Sequence, residues 1–175
     1  AWLMTDDAHG LGILPPRDNP APIQMGTLSK AAGVYGGYIC GDKALMDHLL
    51  HHARPAMFST ALPEALVTLA HAKLRRMQAE PWRRARVLAH AQTACEALGL
   101  PPAESAIVPL LCGEAQAALR AQTKLQEAGL YVSAIRPPTV PPGTARLRLS
   151  FSAAHEEAHV TRLLEALEAG YKSGM

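Results

Sequence analysis

Gly26-Thr27-Leu28-Ser29-Lys30, running on into Gly33, Gly36 and Gly37, is the stretch on which the reading of this chain turns. Upstream of it stands Asp6-Asp7-Ala8-His9-Gly10-Leu11-Gly12. A D-x-x-H segment followed by T-x-x-K has a chemical meaning. A lysine amine forms a Schiff base with an aldehyde cofactor, and a carboxylate protonates and pairs with that cofactor's pyridine nitrogen. Pyridoxal phosphate (PLP) requires both groups. The same residues also suit a glycine-rich turn carrying a solvated lysine, and spacing alone leaves the two readings open.

Working outward, the segments around this stretch read as alternating strands and helices. Residues 1–6 predict a short strand ending at the Asp-Asp pair. Residues 10–22, with Pro15, Pro16, Pro20 and Pro22, predict a loop. Ile23–Leu28 is a strand that delivers Lys30, and Gly37–Cys40 is another. Asp42 is placed to cap a helix whose apolar face is Leu45, Met46, Leu49 and Leu50. Ala61-Leu62-Pro63 opens a further helix, Glu80-Pro81 interrupts it, and the next helix stops at Gly99. Beyond Pro101-Pro102 the pattern predicts a strand over 106–111, a helix over 114–128 closed by Gly129, and a strand over 131–135. A proline-rich connector then leads to a strand alternating as R-L-R-L-S-F over 145–151 and a final amphipathic helix over 155–169. This β-α-β-β-α order predicts a small α+β domain with helices on an antiparallel sheet. The boundary is expected near Pro81, giving segments 1–81 and 82–175.

Composition narrows the classes. The 175 residues are 49% hydrophobic and 5% aromatic, which suits a helix-rich core. A formal net charge of +2 is too mild to argue for nucleic acid. Lys73, Arg75, Arg76, Arg83, Arg84 and Arg86 read as a solvated helical face rather than a phosphate patch. His48, His51 and His52 lack cysteine or carboxylate partners at ligand spacing, so no metal is expected. Cys40, Cys95 and Cys112 read as buried thiols in a reducing cytoplasm. Pro137 to Pro142 read as a rigid loop between strands. No stretch reaches the length of a membrane span. The chain opens on Ala1-Trp2-Leu3-Met4-Thr5, a strand with no lead-in, so a preceding segment is expected to be missing.

Taken in order, Asp6–Gly10, Thr27–Lys30, Phe58-Ser59-Thr60-Ala61-Leu62-Pro63 and the long block Ile135–His155 (IRPPTVPPGTARLRLSFSAAH) resemble the α-oxoamine synthase family of fold-type I PLP enzymes. The resemblance covers nearly the whole chain. It implies an α/β fold: the C-terminal part of a large PLP-binding domain over 1–81, then a small α+β domain over 82–175. It implies that Lys30 holds PLP and moves the substrate's α-proton, that Asp6 pairs with the ring nitrogen, and that His9 bonds the ring's 3′ oxygen. Thr27 would contact the phosphate, while Ser59 and Thr60 would reach the phosphate of the other subunit's cofactor in a homodimer with shared sites. Arg148 would bind the substrate carboxylate, Thr139 would touch the substrate or line its entry, and Arg146 would be structural. Ser29 stands where the family often has glycine; serine is small, so little is put in doubt.

Within the family, Ile135-Arg136-Pro137-Pro138-Thr139-Val140-Pro141 and Ser105-Ala106-Ile107-Val108-Pro109 resemble the branch that condenses L-alanine with a pimeloyl thioester, on CoA or a carrier protein. The implied product is 8-amino-7-oxononanoate, made in the cytoplasm for biotin. The alternatives are the glycine-using branches, 2-amino-3-ketobutyrate ligase or 5-aminolevulinate synthase, and a truncated, non-catalytic piece that binds no cofactor.

Overall fold

In the computed structural model the described residues are 1–14 and 19–172, and the chain divides into two units, Ala1–Trp82 and Arg83–Met175. Of the expected proline loop, Pro15 and Pro16 lie outside the described residues.

The first unit is built on a three-stranded sheet of β1 (Met4–Asp6), β2 (Ile23–Thr27) and β3 (Gly37–Gly41), in that order. β1 runs parallel to β2, with Met4 opposite Ile23 and Asp6 opposite Met25. Parallel neighbours need a long connection, and residues 7–22 supply it. β2 and β3 are antiparallel, with Ile23 opposite Gly41 and Thr27 opposite Gly37. Gly26 faces Tyr38 in this ladder. A Cβ on Gly26 would stand 2.3 Å from the Tyr38 hydroxyl oxygen, so only glycine lets the phenol lie across β2. That burial, helped by the charges of Asp7 and Cys40, raises the Tyr38 pKa.

Three helices follow. α1 (Lys43–His52) starts as the sequence predicts, because the Asp42 carboxylate accepts the Leu45 amide at 2.8 Å. α2 (Arg54–Met57) is a single turn that sequence periodicity does not announce. α3 (Glu64–Ala79) begins directly after Pro63 and ends before Pro81. Burial in this unit is sparse. Leu50, expected on the apolar face of α1, is 64% exposed, as are Trp2 at 69% and Phe58 at 74%. Cys40 is exposed, against the expectation of a buried thiol, on β3, a strand none of whose residues is buried; Cys95 is buried and Cys112 partly so.

The second unit carries the larger core. α4 (Trp82–Ala97) buries Val87, Ala91, Ala94 and Cys95 along one stripe from within this unit. β4 (Ile107–Gly113), α5 (Ala115–Glu127), β5 (Ser133–Ile135), β6 (Ala145–Ser150) and α6 (Glu157–Lys172) follow. The sheet order is β4-β6-β5, antiparallel throughout. Ala145, Leu147 and Leu149 of β6 are buried on one face, with Ala118, Ala121 and Leu125 of α5 and Leu163 and Leu167 of α6 in the same core.

Gly99 and Gly129 close α4 and α5 in the same way. At φ +64° and +74° each takes the left-handed conformation. The Leu100 amide donates to the Cys95 carbonyl and the Leu130 amide to the Leu125 carbonyl, satisfying orphan carbonyls at both helix ends. Several boundaries move from the sequence expectation: β4 runs on to Gly113 and α6 to Lys172. β5 begins at Ser133 rather than at residue 131, leaving Tyr131 exposed, and α6 begins at Glu157 after a turn over residues 152–155.

Candidate functional site

In the first unit the site residues sit at the ends of strands. Asp6 closes β1, exposed, and its Oδ1 accepts the Ala8 amide at 2.8 Å, which turns the chain toward His9, also exposed. Asp7, unassigned from the sequence, lies over Gly10: a Cβ there would stand 1.8 Å from Asp7 Oδ1. Thr27 closes β2. Its hydroxyl donates to the Gly36 carbonyl at 3.0 Å and accepts the Ser29 amide at 3.1 Å, with the Ser29 hydroxyl 2.7 Å away. Ser29 is therefore a working partner of Thr27 rather than a small filler. Lys30 follows at the exposed tip, where its carbonyl accepts the Gly33 amide at 3.0 Å.

An open pocket of about 530 Å³ brings Thr27 and Ser29 together with Ser59 and Thr60, which come from the segment between α2 and α3. Tyr35, Gly36 and Gly37 also line it. Sequence reasoning assigned these three no role, although the glycine run after Lys30 was visible. Five hydroxyls, those of Thr27, Ser29, Tyr35, Ser59 and Thr60, with glycine backbone and no carboxylate in the lining, match what a phosphate group needs. The donor set therefore fits the phosphate of PLP. Asp6, His9 and Lys30 are not among the lining residues.

In the second unit, Arg146 and Arg148 share the sheet face opposite the core, as strand alternation requires. The register separates them. Arg146 stands between Leu111 and Ile135, is half-buried, and donates from Nε to the Thr144 carbonyl at 2.9 Å. Arg148 stands between Pro109 and Ser133, two small neighbours, and is exposed. A guanidinium with that clearance can present its planar fork to a carboxylate. Thr139 is exposed in the connector, with its amide donating to the Arg136 carbonyl at 3.1 Å. Among the described residues no cluster of three or more His, Cys, Asp or Glu could hold a metal, and no helix is long and apolar enough to cross a membrane. His48 and His52 stack on each other, ring centroids 4.3 Å apart.

Known proteins resemble this chain over almost all of it. A curated relative from Methylobacterium sp. (strain 4-46), an 8-amino-7-oxononanoate synthase, is 56% identical over 167 residues, covering 95% of this chain and 44% of the relative. The chain thus spans less than half the length of that protein. An 8-amino-7-oxononanoate synthase structure from Francisella tularensis superposes with a TM-score of 0.79 at 26% identity, covering 97% of this chain and 55% of that one. A variant of serine palmitoyltransferase from S. paucimobilis, with PLP and myriocin bound, gives a TM-score of 0.87 at 26% identity, covering 98% and 48%. The α/β fold expected from the sequence, that of part of a fold-type I PLP transferase, holds. A family model for Aminotransferase class I and II matches residues 1–167, and the chain belongs to that family.

Proposed function

We propose that the protein of which this chain is a part condenses L-alanine with a pimeloyl thioester. The products are 8-amino-7-oxononanoate, CO2 and a free thiol. The observation that carries this reading is the hydroxyl-lined pocket built by Thr27, Ser29, Ser59 and Thr60 beside the Lys30 turn. The 56% identity to a relative of that activity supports the choice of reaction.

PLP, when bound, supplies an electron sink for negative charge developing on the amino acid's α-carbon. The chain's own residues do the rest. Thr27 would contact the phosphate, and Ser59 and Thr60 would reach the phosphate of the other subunit's cofactor. Asp6 keeps the ring nitrogen protonated, since a carboxylate partner favours the charged form. His9 donates to the ring oxygen. Lys30 would hold the cofactor through its amine and would be the base that takes the alanine α-proton and later returns one. Arg148 holds the alanine carboxylate in a charge-assisted fork and releases it as CO2 departs. Thr139 borders the entry. The acyl carbonyl gains the new carbon–carbon bond as the thiolate leaves and takes a proton.

In this reading residues 1–81 belong to a large cofactor-binding domain and 82–175 form the small domain. The active unit is a cytoplasmic homodimer in which Ser59 and Thr60 serve the neighbouring subunit's cofactor. The test is an assay of the full-length protein with PLP, L-alanine and pimeloyl-CoA or pimeloyl carrier protein, following CO2 and the ketone product. Alanine-dependent release of both is expected. Turnover with glycine and a short acyl-CoA in place of alanine would keep the chemistry and overturn the substrate.

A further inference from the structure

The entry to α6 is held by histidines acting as acceptors. The Ser152 amide donates to His155 Nδ1 at 3.3 Å, and the Glu156 amide donates to His159 Nδ1 at 3.0 Å. In return the His155 amide donates to the Ser152 carbonyl and the His159 amide to the Glu156 carbonyl, both at 3.0 Å. Each pair is a reciprocal four-residue turn of capping-box form, with an imidazole where glutamate or glutamine usually reaches back. The second pair sits at the helix start itself, since α6 begins at Glu157. A ring nitrogen that accepts carries no proton, so both rings must leave Nδ1 bare. A third histidine, His90 of α4, is buried and donates from Nε2 to the His155 carbonyl at 3.0 Å.

We propose that these paired turns form an acid-sensitive catch: they fasten the entry to α6 at neutral pH and open when His155 takes a proton. A proton on His155 Nδ1 removes the acceptor and leaves the Ser152 amide unpaired. It also places positive charge at the positive end of the helix dipole. The surroundings do little to offset this. Facing the two rings are His90 from α4, Tyr131 ahead of β5, and Arg162 on α6, whose guanidinium is engaged with the Ala128 carbonyl. The His155 and His159 rings stand edge to face 6.2 Å apart, and Phe151 meets His155 at 6.4 Å. Glu156 and Glu157 are the acids nearest in sequence, and both are exposed. Together with Leu149, Phe151 and Leu163 the two histidines wall a cavity of about 420 Å³, so opening the catch would also open that wall.

Burial first, then the neighbouring His159 and His90, lower the His155 pKa below its ordinary 6.5. A folded-state pKa that is lowered gives stability fully present above 6.5 and lost as pH falls through the folded value.

Two measurements on the full-length protein test the catch. Imidazole nitrogen NMR at pH 7.5 should find His155 and His159 protonated on Nε2 only. Amide exchange, corrected for its chemical pH dependence and referenced to α5, should then be followed from pH 7.5 to 5.0. Protection at Ser152 and the entry to α6 should fall relative to α5 as the pH drops. The His155→Gln/His159→Gln variant supplies a non-titrating acceptor and should hold its protection over the same range. An Nδ1–H tautomer in either ring at pH 7.5 would overturn the proposal. So would a Gln variant that loses protection as steeply as the parent.

Discussion

At the scale of single residues, two arginines on one strand are distinguished by what stands beside them. R-L-R alternation places both on one face, and that much is legible in the sequence. The difference between them comes from register, since Pro109 and Ser133 flank Arg148 while Leu111 and Ile135 flank Arg146. In the full-length protein, Arg148→Ala removes a charge-assisted pair with the amino-acid carboxylate, a loss of about 2–3 kcal/mol. That corresponds to alanine affinity roughly 30- to 150-fold weaker by titration calorimetry, with thioester binding little changed. Arg146→Ala should leave alanine affinity nearly intact; the reverse ranking would exchange their roles. Gly26→Ala drives a methyl group into the Tyr38 ring and should destabilise the chain by about 1–3 kcal/mol in urea melts. Gly26→Ala combined with Tyr38→Ala should recover much of that loss, because the obstruction is the phenol and not the backbone.

The Tyr38 hydroxyl gives a pH prediction with a definite sign. Its pKa is raised in the folded state from an ordinary value of 10.0. A raised pKa contributes stability that is complete below 10 and is lost as pH rises through the folded value. Alkaline melts should therefore steepen above pH 10, and Tyr38→Phe should flatten that limb. Equal alkaline limbs in the two proteins would show that other groups govern it.

At the scale of elements, the ends of helices are more legible than their partners. Asp42, Gly99, Gly129 and the Glu80-Pro81 break mark their helices because capping chemistry is local. Asp42→Ala should weaken α1 by about 1 kcal/mol, seen as lost helicity and lower thermal stability. The misses have equally local causes. α2 is one turn long, too short for any periodicity to register. The start of α6 is displaced because His155 and His159 bond backward, and histidine is not a residue that ordinarily signals a cap. Of the site, the T-x-x-K and S-T segments could be read as chemistry. Their meeting in one pocket could not, because it depends on how the segment after α2 returns to the end of β2.

At the scale of the molecule, the two units differ in how much apolar surface they bury. The second unit hides Leu147, Leu149 and Leu167 almost completely, whereas the first leaves Trp2, Phe58 and Leu50 exposed. A stripe of apolar residues shows what needs cover and not what provides it, which is why Leu50 could be placed on the apolar face of α1 without being buried. Exposed patches of this kind favour association. Purified as it stands, the chain should sediment with concentration-dependent size and give no measurable ketone product. Turnover by this chain alone would show that these residues carry a complete site. Residues 83–175 expressed separately should melt cooperatively, and residues 1–82 should not.

The order of strands in the second unit has a consequence in time. β4 and β5 lie on either side of β6 and pair only with it. The central strand is the last of the three to be synthesised, about forty residues after β4 begins. Until it arrives, neither outer strand has its neighbour, and the nascent unit can form helices but no sheet. Its folding must wait for translation to pass Ser150, and a stalled ribosome upstream of Ala145 leaves two orphan strands for chaperones to shield.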